Sequence, residues 1–337
     1  MIEDRKLEHI KICADKDVVA HHNYWDDVLL KHETIPRVDL EDIRLDVNFL
    51  GRKLNYPIII DAMTGGHRIA KVINENLAKA AEELGIGMAV GSQRAAIENK
   101  ELEDTYSIIT KYEVPLRIGN LGAPQFALGY GEEEIRRAME MIDAHAMDIH
   151  FNYLQEAIQP EGDTKVSGLK DKLKNLAKRY PLIAKETGAG ISRIASEFFK
   201  NAGFKAIDVS GVSGTSFAAV EYYRGGDEGQ LFWDWGLPAP YSLHILRDLD
   251  MPLIGSGGIR NGLDAAKALA LGASVVGIAR ILLKPAMKSH KDVIEVLKRV
   301  VKEMRIAIFL SGFSGVADMK NAEYVVRGEL ALWLKRL

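Results

Sequence analysis

Cysteine is nearly absent: the 337-residue chain has one, Cys13. A single thiol excludes an intrachain disulfide framework and fits a reducing, cytoplasmic setting. With no Cys/His grouping of suitable spacing, a zinc site is not expected. No apolar run approaches the roughly 20 residues that span a bilayer. The first nine residues (MIEDRKLEH) are polar and mixed in charge, without the apolar stretch of a secretory signal. The formal net charge is only -3, so neither nucleic acid nor a membrane surface is an expected partner. There is no Pro/Ser/Gly linker and no low-complexity segment. One domain over 1–337 is therefore expected, with an N-terminal arm (1–55), a central unit (56–284) and C-terminal helices (285–337).

What is there is glycine, 30 residues of it, much of it closing short apolar runs. Those runs predict eight strands, at Pro57–Met63, Ile86–Val90, Leu116–Asn120, Met147–Asn152, Leu182–Glu186, Ala206–Ser210, Leu253–Gly255 and Ser274–Ala279. Several are continuously apolar, as parallel strands buried on both faces require. Helical patterns lie between them, among them Asn74–Glu83, Glu132–Ala144, Leu169–Lys178, Ile194–Asn201 and Leu263–Leu271. Eight strands alternating with helices predict an α/β fold, a (β/α)8 TIM barrel. A doubly wound open sheet fits less well, because no early Gly-x-Gly-x-x-Gly is present. After the last strand the pattern predicts amphipathic helices, the final one over about Ala322–Leu334.

Reactive residues of such barrels sit at the C-terminal strand ends. There the sequence places acids, amides and a histidine in Asp148–Glu156 (DIHFNYLQE), followed by Gln159–Asp163 (QPEGD). That is a poor way to fill a core and a good way to hold a metal and a charged small molecule. A carboxylate, Glu156, with amides Asn152 and Gln155 nearby suits Mg²⁺ shared with substrate phosphates. Ser256–Arg260 (SGGIR) and Gly277–Arg280 (GIAR) end strands seven and eight, where backbone N–H groups and a helix N-terminus hold a phosphate in many barrels. Lys185 near the end of strand five needs an anionic partner, either Glu186 or Asp208 or a reduced cofactor ring. Asn120 and Ser92 are placed to meet a ring edge or to cap exposed backbone. Arg5 and Lys6 matter only if the N-terminal arm folds over the barrel mouth, where they would clamp a diphosphate.

With these residues in place, the chain resembles the type 2 isopentenyl diphosphate isomerases, FMN-dependent enzymes on a (β/α)8 barrel. The resemblance runs from Arg5 to about Ala317. It rests on Arg5-Lys6 with His9, Met63–Gly66, Gly91–Arg94, His150–Glu156, Pro160–Asp163, Lys185–Gly190 and the two phosphate loops. Each motif is weak alone; their joint order at successive strand ends is specific. The resemblance implies that Met63, Thr64, Gly65, Ser92, Asn120, Lys185, Ser210 and Thr215 contact FMN, and that Gly258, Ile259, Arg260, Ala279 and Arg280 hold its phosphate. It implies substrate binding by Arg5, Lys6, Ser92, Gln93, Arg94 and Gln155, catalytic roles for Gln155, His150 and Asn152, and Mg²⁺ on Glu156. Isopentenyl and dimethylallyl diphosphate would interconvert by a 1,3-proton shift. NAD(P)H or another donor would keep the flavin reduced, and a homo-tetramer or homo-octamer is expected. Thr187, Thr164-Lys165 and Phe217 depart from the usual pattern without removing a catalytic group.

Three other readings share the barrel. An FMN-dependent 2-hydroxyacid oxidase or dehydrogenase needs a histidine base after strand six, and Ser210–Thr215 (SGVSGT) has none. A nucleophilic-cysteine mechanism is disfavoured because Cys13 is far from any strand end. A non-catalytic flavin-binding barrel has no need of Gln155 beside Glu156. Gly225–Gly229 (GGDEG) is expected to be a mobile loop that could act as a lid.

Overall fold

The computed structural model describes residues 2–335. Short, continuously apolar strands cannot be left with a wet face, and the chain buries both faces by closing the sheet. The strands are β1 (Ile58–Ile60), β2 (Gly87–Ala89), β3 (Leu116–Gly122), β4 (Ala146–Phe151), β5 (Leu182–Glu186), β6 (Ala206–Asp208), β7 (Leu253–Gly255) and β8 (Val275–Ile278). All neighbours are parallel, and β8 pairs β1 to complete a (β/α)8 barrel. All eight strands fall within the predicted segments except for one or two residues at the ends of β3 and β4.

The barrel interior is sorted by level. Its lower part is apolar, with Ile59, Ile118, Ile183, Ile254 and Val275 filling it. A hairpin of Val47–Phe49 and Arg52–Leu54 closes the bottom with Phe49 and Leu54. Toward the C-terminal strand ends the filling changes to Asp61, Asp148, Lys185 and Asp208, all buried. Register makes this possible: His150 lies beside Lys185, and Lys185 beside Asp208, on three adjacent strands.

The outer helices follow from amphipathic spacing. The helix Arg68–Leu84 buries Ile73, Leu77, Ala81 and Leu84 on one face. Each large aliphatic contributes roughly 2 kcal/mol of burial. His67 caps its start by accepting from the Ile69 N–H, and Gly85 ends it in the left-handed region at φ 63°.

Both ends of the chain depart from simple expectation. Residues Ile2–Asp15 form a helix, here α1. Trp25, fully buried, donates its Nε1–H to the Gly257 carbonyl at 2.7 Å and so fixes the N-terminal arm to the loop after β7. The single helix expected over about 322–334 is instead a strand, Tyr324–Val326, and a helix, Gly328–Leu334. That strand pairs antiparallel with Val28–Leu30 of the arm. The β-branched pair Val325-Val326 favours extension, and Gly328 turns at φ 59°. No helix among the described residues is long and apolar enough to cross a membrane.

Candidate active site

A cavity of about 600 Å³ opens at the C-terminal strand ends, a volume that suits a small ligand. Its floor is the polar level of the barrel. The Lys185 Nζ donates to Asp61 Oδ2 at 2.8 Å and to Asp208 Oδ2 at 2.7 Å. Burial works against the ammonium, but Asp208, then Asp61 and Asp148, more than offset it, so the Lys185 pKa is raised. Burial drives Asp148 well above the usual carboxylate range, against the attraction of Lys185. Its Oδ1 has no hydrogen-bond partner among the described residues. Of the two acids that the sequence offered as partners for Lys185, Asp208 is the one bonded. Glu186 instead accepts from the N–H groups of Thr187, Gly188 and Ala189. Asp61 gave no sequence signal beyond its place at a strand end.

One end of the cavity is lined by the loops after β7 and β8. The carbonyls of Gly257 and Gly258 are taken by Trp25 and by Asn23, the latter at 3.1 Å. Both glycines lie in the left-handed region, at φ 86° and 82°. The N–H groups of Gly258 and Ile259 are left without a partner among the described residues, which is the donor set an anion needs. Arg260 reaches this wall, but its guanidinium is engaged by Asp26 at 2.5 and 3.0 Å and by Asp264 at 2.8 and 3.1 Å. Its backbone N–H also goes to Asp264. Arg280 is freer, with a 3.4 Å contact to the Lys16 carbonyl. An anion on this wall would therefore meet backbone N–H groups and Arg280 more than Arg260.

The opposite end is cationic. Helix α1 lies over the cavity and brings Arg5, Lys6 and His9 to its rim, where Arg94 joins them. Burial, then Arg5 and Arg94, pushes Lys6 down to about 8. Arg5 lies 3.7 Å from Glu161, and Arg94 pairs with Glu98 and Asp163 at 2.7 and 3.2 Å, but the two arginines still depress Lys6, and a site of that kind favours an anion. His150 donates or accepts through Nδ1 at 2.6 Å from Asn120 Oδ1. An amide oxygen only accepts, so Nδ1 carries the proton. Burial, then Lys6 and Lys185, holds the ring neutral, down to about 3.

Between the two ends stands the amide and carboxylate group of the helix Tyr153–Ile158. Asn152 Nδ2 donates to Glu156 Oε1 at 2.8 Å and to Gln155 Oε1 at 3.1 Å. Gln159 and the Asp163 N–H bind Glu156 Oε2, at 2.5 and 2.8 Å. Gln155 Nε2 donates to Glu221 Oε1 at 2.7 Å. Glu221 is fully buried and also meets His9 at 3.0 Å and Arg224 at 2.5 Å. Those bonds outweigh burial and keep its pKa low. Glu221 was missed by the sequence reading because it lies inside the helix Phe217–Tyr223, not at a strand end.

Two buried polar atoms on the cavity wall have no partner among the described residues: Thr64 Oγ1 and Asn152 Oδ1. Thr64 falls where a flavin is expected, and Asn152 beside Glu156, where a cation is expected. No cluster of three His, Cys, Asp or Glu side chains able to hold a metal exists among the described residues. One carboxylate with an amide oxygen still fits Mg²⁺, provided that a diphosphate supplies further oxygens.

The remaining sequence expectations sort cleanly by position. Met63, Ser92, Ser210, Thr215, Ile259 and Ala279 line the cavity. Ser210 does so with a strained φ of 32°. Gly65 and Gln93 do not line it. A Cβ at Gly65 would fall within the Tyr106 ring. Gln93 is wholly buried, donating to the Ala138 carbonyl and accepting from the Asn120 N–H, so it positions Asn120. Cys13 is far from the strand ends only in sequence: α1 carries it to the cavity wall. Burial pushes its thiol up to about 11, which leaves it a poor nucleophile. The 225–229 stretch is not on the cavity. It forms a turn packed on the helix Phe217–Tyr223, where a Cβ at Gly229 would meet the Ala218 carbonyl at 2.3 Å.

Known proteins resemble this chain in sequence and in fold. The sequence model of the FMN-dependent dehydrogenase family matches residues 240–326, which include both phosphate loops. Among solved structures, mandelate oxidase with (S)-2-phenylpropionate superposes with a TM-score of 0.63 over 95% of this chain and 94% of that one, at 18% identity. That likeness concerns the fold alone. An isopentenyl-diphosphate delta-isomerase of Thermoplasma acidophilum is 48% identical, covering 99% of both chains. Another, of Thermoplasma volcanium, is 46% identical over 99% of this chain and 100% of its own. The chain belongs to the FMN-dependent, type 2 isopentenyl-diphosphate delta-isomerase family.

Proposed function

We propose that the cavity interconverts isopentenyl and dimethylallyl diphosphate by a 1,3-proton shift, in which Thr64, Lys185 and the Gly258–Ile259 loop would hold reduced FMN, and Glu156 with Asn152 would hold Mg²⁺ to neutralise diphosphate charge. NAD(P)H or an equivalent donor would keep the flavin reduced. The observation that supports this most is the pairing of the two unpartnered wall atoms, Thr64 Oγ1 and Asn152 Oδ1, with an N–H-lined loop at one end and a cationic rim at the other. A cavity with two separate anion sites suits a phosphorylated cofactor and a phosphorylated substrate together.

The residues divide the work. Arg5, Lys6 and Arg94 bind the diphosphate, and His150, neutral without ligand, becomes a cationic donor to it once Nε2 also takes a proton. Asn152 and Gln159 hold the Glu156 carboxylate for the metal. Glu221 fixes the Gln155 amide, which faces the reacting carbons. Reduced FMN, when bound, supplies the acid and base strength that an unactivated alkene requires. Helix α1 covers the cavity and excludes water, which strengthens every charge interaction inside. A 2-hydroxyacid oxidation is not favoured, because β6 leads into Ser210–Thr215 with no histidine base.

The test is an anaerobic assay with FMN, Mg²⁺, reductant and isopentenyl diphosphate. Dimethylallyl diphosphate that forms only with reduced FMN and disappears with EDTA supports the reading. Absence of product, with oxidation of a 2-hydroxyacid in a parallel screen, overturns it.

A further inference from the structure

Strands β1, β4, β5 and β6 send Asp61, Asp148, Lys185 and Asp208 to one level of the barrel interior. An ammonium has three N–H donors. Two of those on Lys185 are bound, to Asp61 and Asp208. The third has no partner among the described residues, and Lys185 lines the cavity. The carboxylates are themselves fixed. Asp61 Oδ1 accepts from the Ala62 N–H at 2.7 Å, and Asp208 Oδ1 accepts from the Ser256 hydroxyl. Ser256 in turn accepts from the Ser210 N–H at 2.9 Å. Gly277 gives the group room, since a Cβ there would lie 2.9 Å from Ser256 Cβ and 3.1 Å from Asp61 Oδ2. Neither acid can swing away without breaking a second bond.

The geometry points to Asp61 and Asp208 as positioning residues that aim the free N–H of Lys185 into the cavity and set the charge beneath the bound FMN. This deepens the FMN reading and rests on it. Lys185 alone would favour a negatively charged reduced flavin. Burial, then Asp61, pushes the Asp208 carboxyl up to about 7, so above that pH two carboxylates held against Lys185 more than cancel its single charge, and the cluster as a whole makes reduction harder than a bare lysine would. Burial pushes the Asp148 carboxyl well above the usual range and so favours its neutral form, in which it adds volume and a dipole but no net charge.

The experiment measures the midpoint potential of the FMN-loaded enzyme by dye equilibration at about pH 8.5, where Asp208 is ionised, with FMN affinity from flavin fluorescence and folding from circular dichroism. Asp208→Asn and Asp61→Asn should each raise the potential, shifting the reduction equilibrium about tenfold, or about 30 mV for a two-electron couple. Lys185→Met should lower it. Asp148→Asn should stay within twofold of the wild type, because it replaces a neutral carboxyl with a neutral amide. Wild-type potentials in both Asp208→Asn and Asp61→Asn would overturn the proposal. If Asp208→Asn does not fold, Ser256→Ala removes only the hydroxyl that donates to Asp208; a smaller rise supports the proposal and an unchanged potential overturns it. A wild-type protein that binds no FMN is a different failure, seen before any variant is made, and removes the FMN reading together with the proposal.

Discussion

Lys6 is held against its own charge, and replacing it should make the ligand-free protein more stable while weakening substrate binding. Its pKa falls from 10.5 to about 8 on folding, through burial and then the cations Arg5 and Arg94. At about 1.4 kcal/mol for each pKa step, the penalty is roughly 3 kcal/mol. Lys6 keeps some contact with solvent at the cavity rim, and screening there brings the figure to about 2 kcal/mol. The sign follows from proton counts. Between pH 8 and 10.5 the unfolded chain holds the Lys6 proton and the folded chain has lost it, so stability rises with pH across that window. Below pH 8 the whole penalty is present. Lys6→Met keeps the apolar stem and removes the charge. Unfolding entropy of about 2.1 cal/mol/K per residue gives about 0.7 kcal/mol/K for this chain, so the melting temperature at pH 7 should rise by about 3 °C. Added pyrophosphate should raise the wild-type melting temperature and leave the variant nearly unmoved. Scanning calorimetry at pH 7 and pH 10, with and without pyrophosphate, reads all of this. A variant that melts below the wild type at pH 7 without ligand, or a difference that does not shrink by pH 10, would refute the reasoning.

Three further predictions concern other walls of the cavity. Pyrophosphate binding at pH 8 should take up protons, because Lys6 and His150 are both depressed; calorimetry in two buffers of different ionisation enthalpy that found no net uptake would sink the assignment. Glu156→Gln keeps the shape but loses the carboxylate, so Mg²⁺-dependent substrate binding should weaken at least tenfold with the fold intact; unchanged EDTA sensitivity and affinity would place the metal elsewhere. Gly258→Ala puts a Cβ 2.4 Å from the Ser213 carbonyl at a φ of 82°; it should cost about 2 kcal/mol or more and remove FMN binding, and full FMN affinity would show that the loop is not the phosphate cradle.

The barrel was legible because its strands are buried on both faces, so their apolar runs end abruptly where glycines and polar residues begin. The same abruptness exposed the strand-end residues, and most of them line the cavity. Gln93 and Arg260 show the limit. Both stand in glycine-bearing loops beside the cavity, but the Ala138 carbonyl draws the first inward, and Asp26 and Asp264 hold the second aside. Such partners are set by packing between distant segments and leave no local pattern. Glu221 was invisible for a related reason: an acid within a short helix reads as a solvated face until the fold buries it against Gln155 and His9. Cys13 and the α1 rim depend on where a polar N-terminal helix docks, which charge pattern alone does not decide. The C-terminal segment was misread as one helix because a three-residue strand becomes stable only when Val28–Leu30 supplies its partner.

The central claim is that protons move and electrons do not. The direct measurement is the anaerobic conversion of isopentenyl diphosphate in D₂O, followed by NMR, with reductant consumption recorded in the same sample. Deuterium should enter a methyl group of the dimethylallyl product over many turnovers, while the reductant consumed stays close to the amount of enzyme-bound FMN. One reductant oxidised for each product, or product without solvent deuterium, would contradict the account.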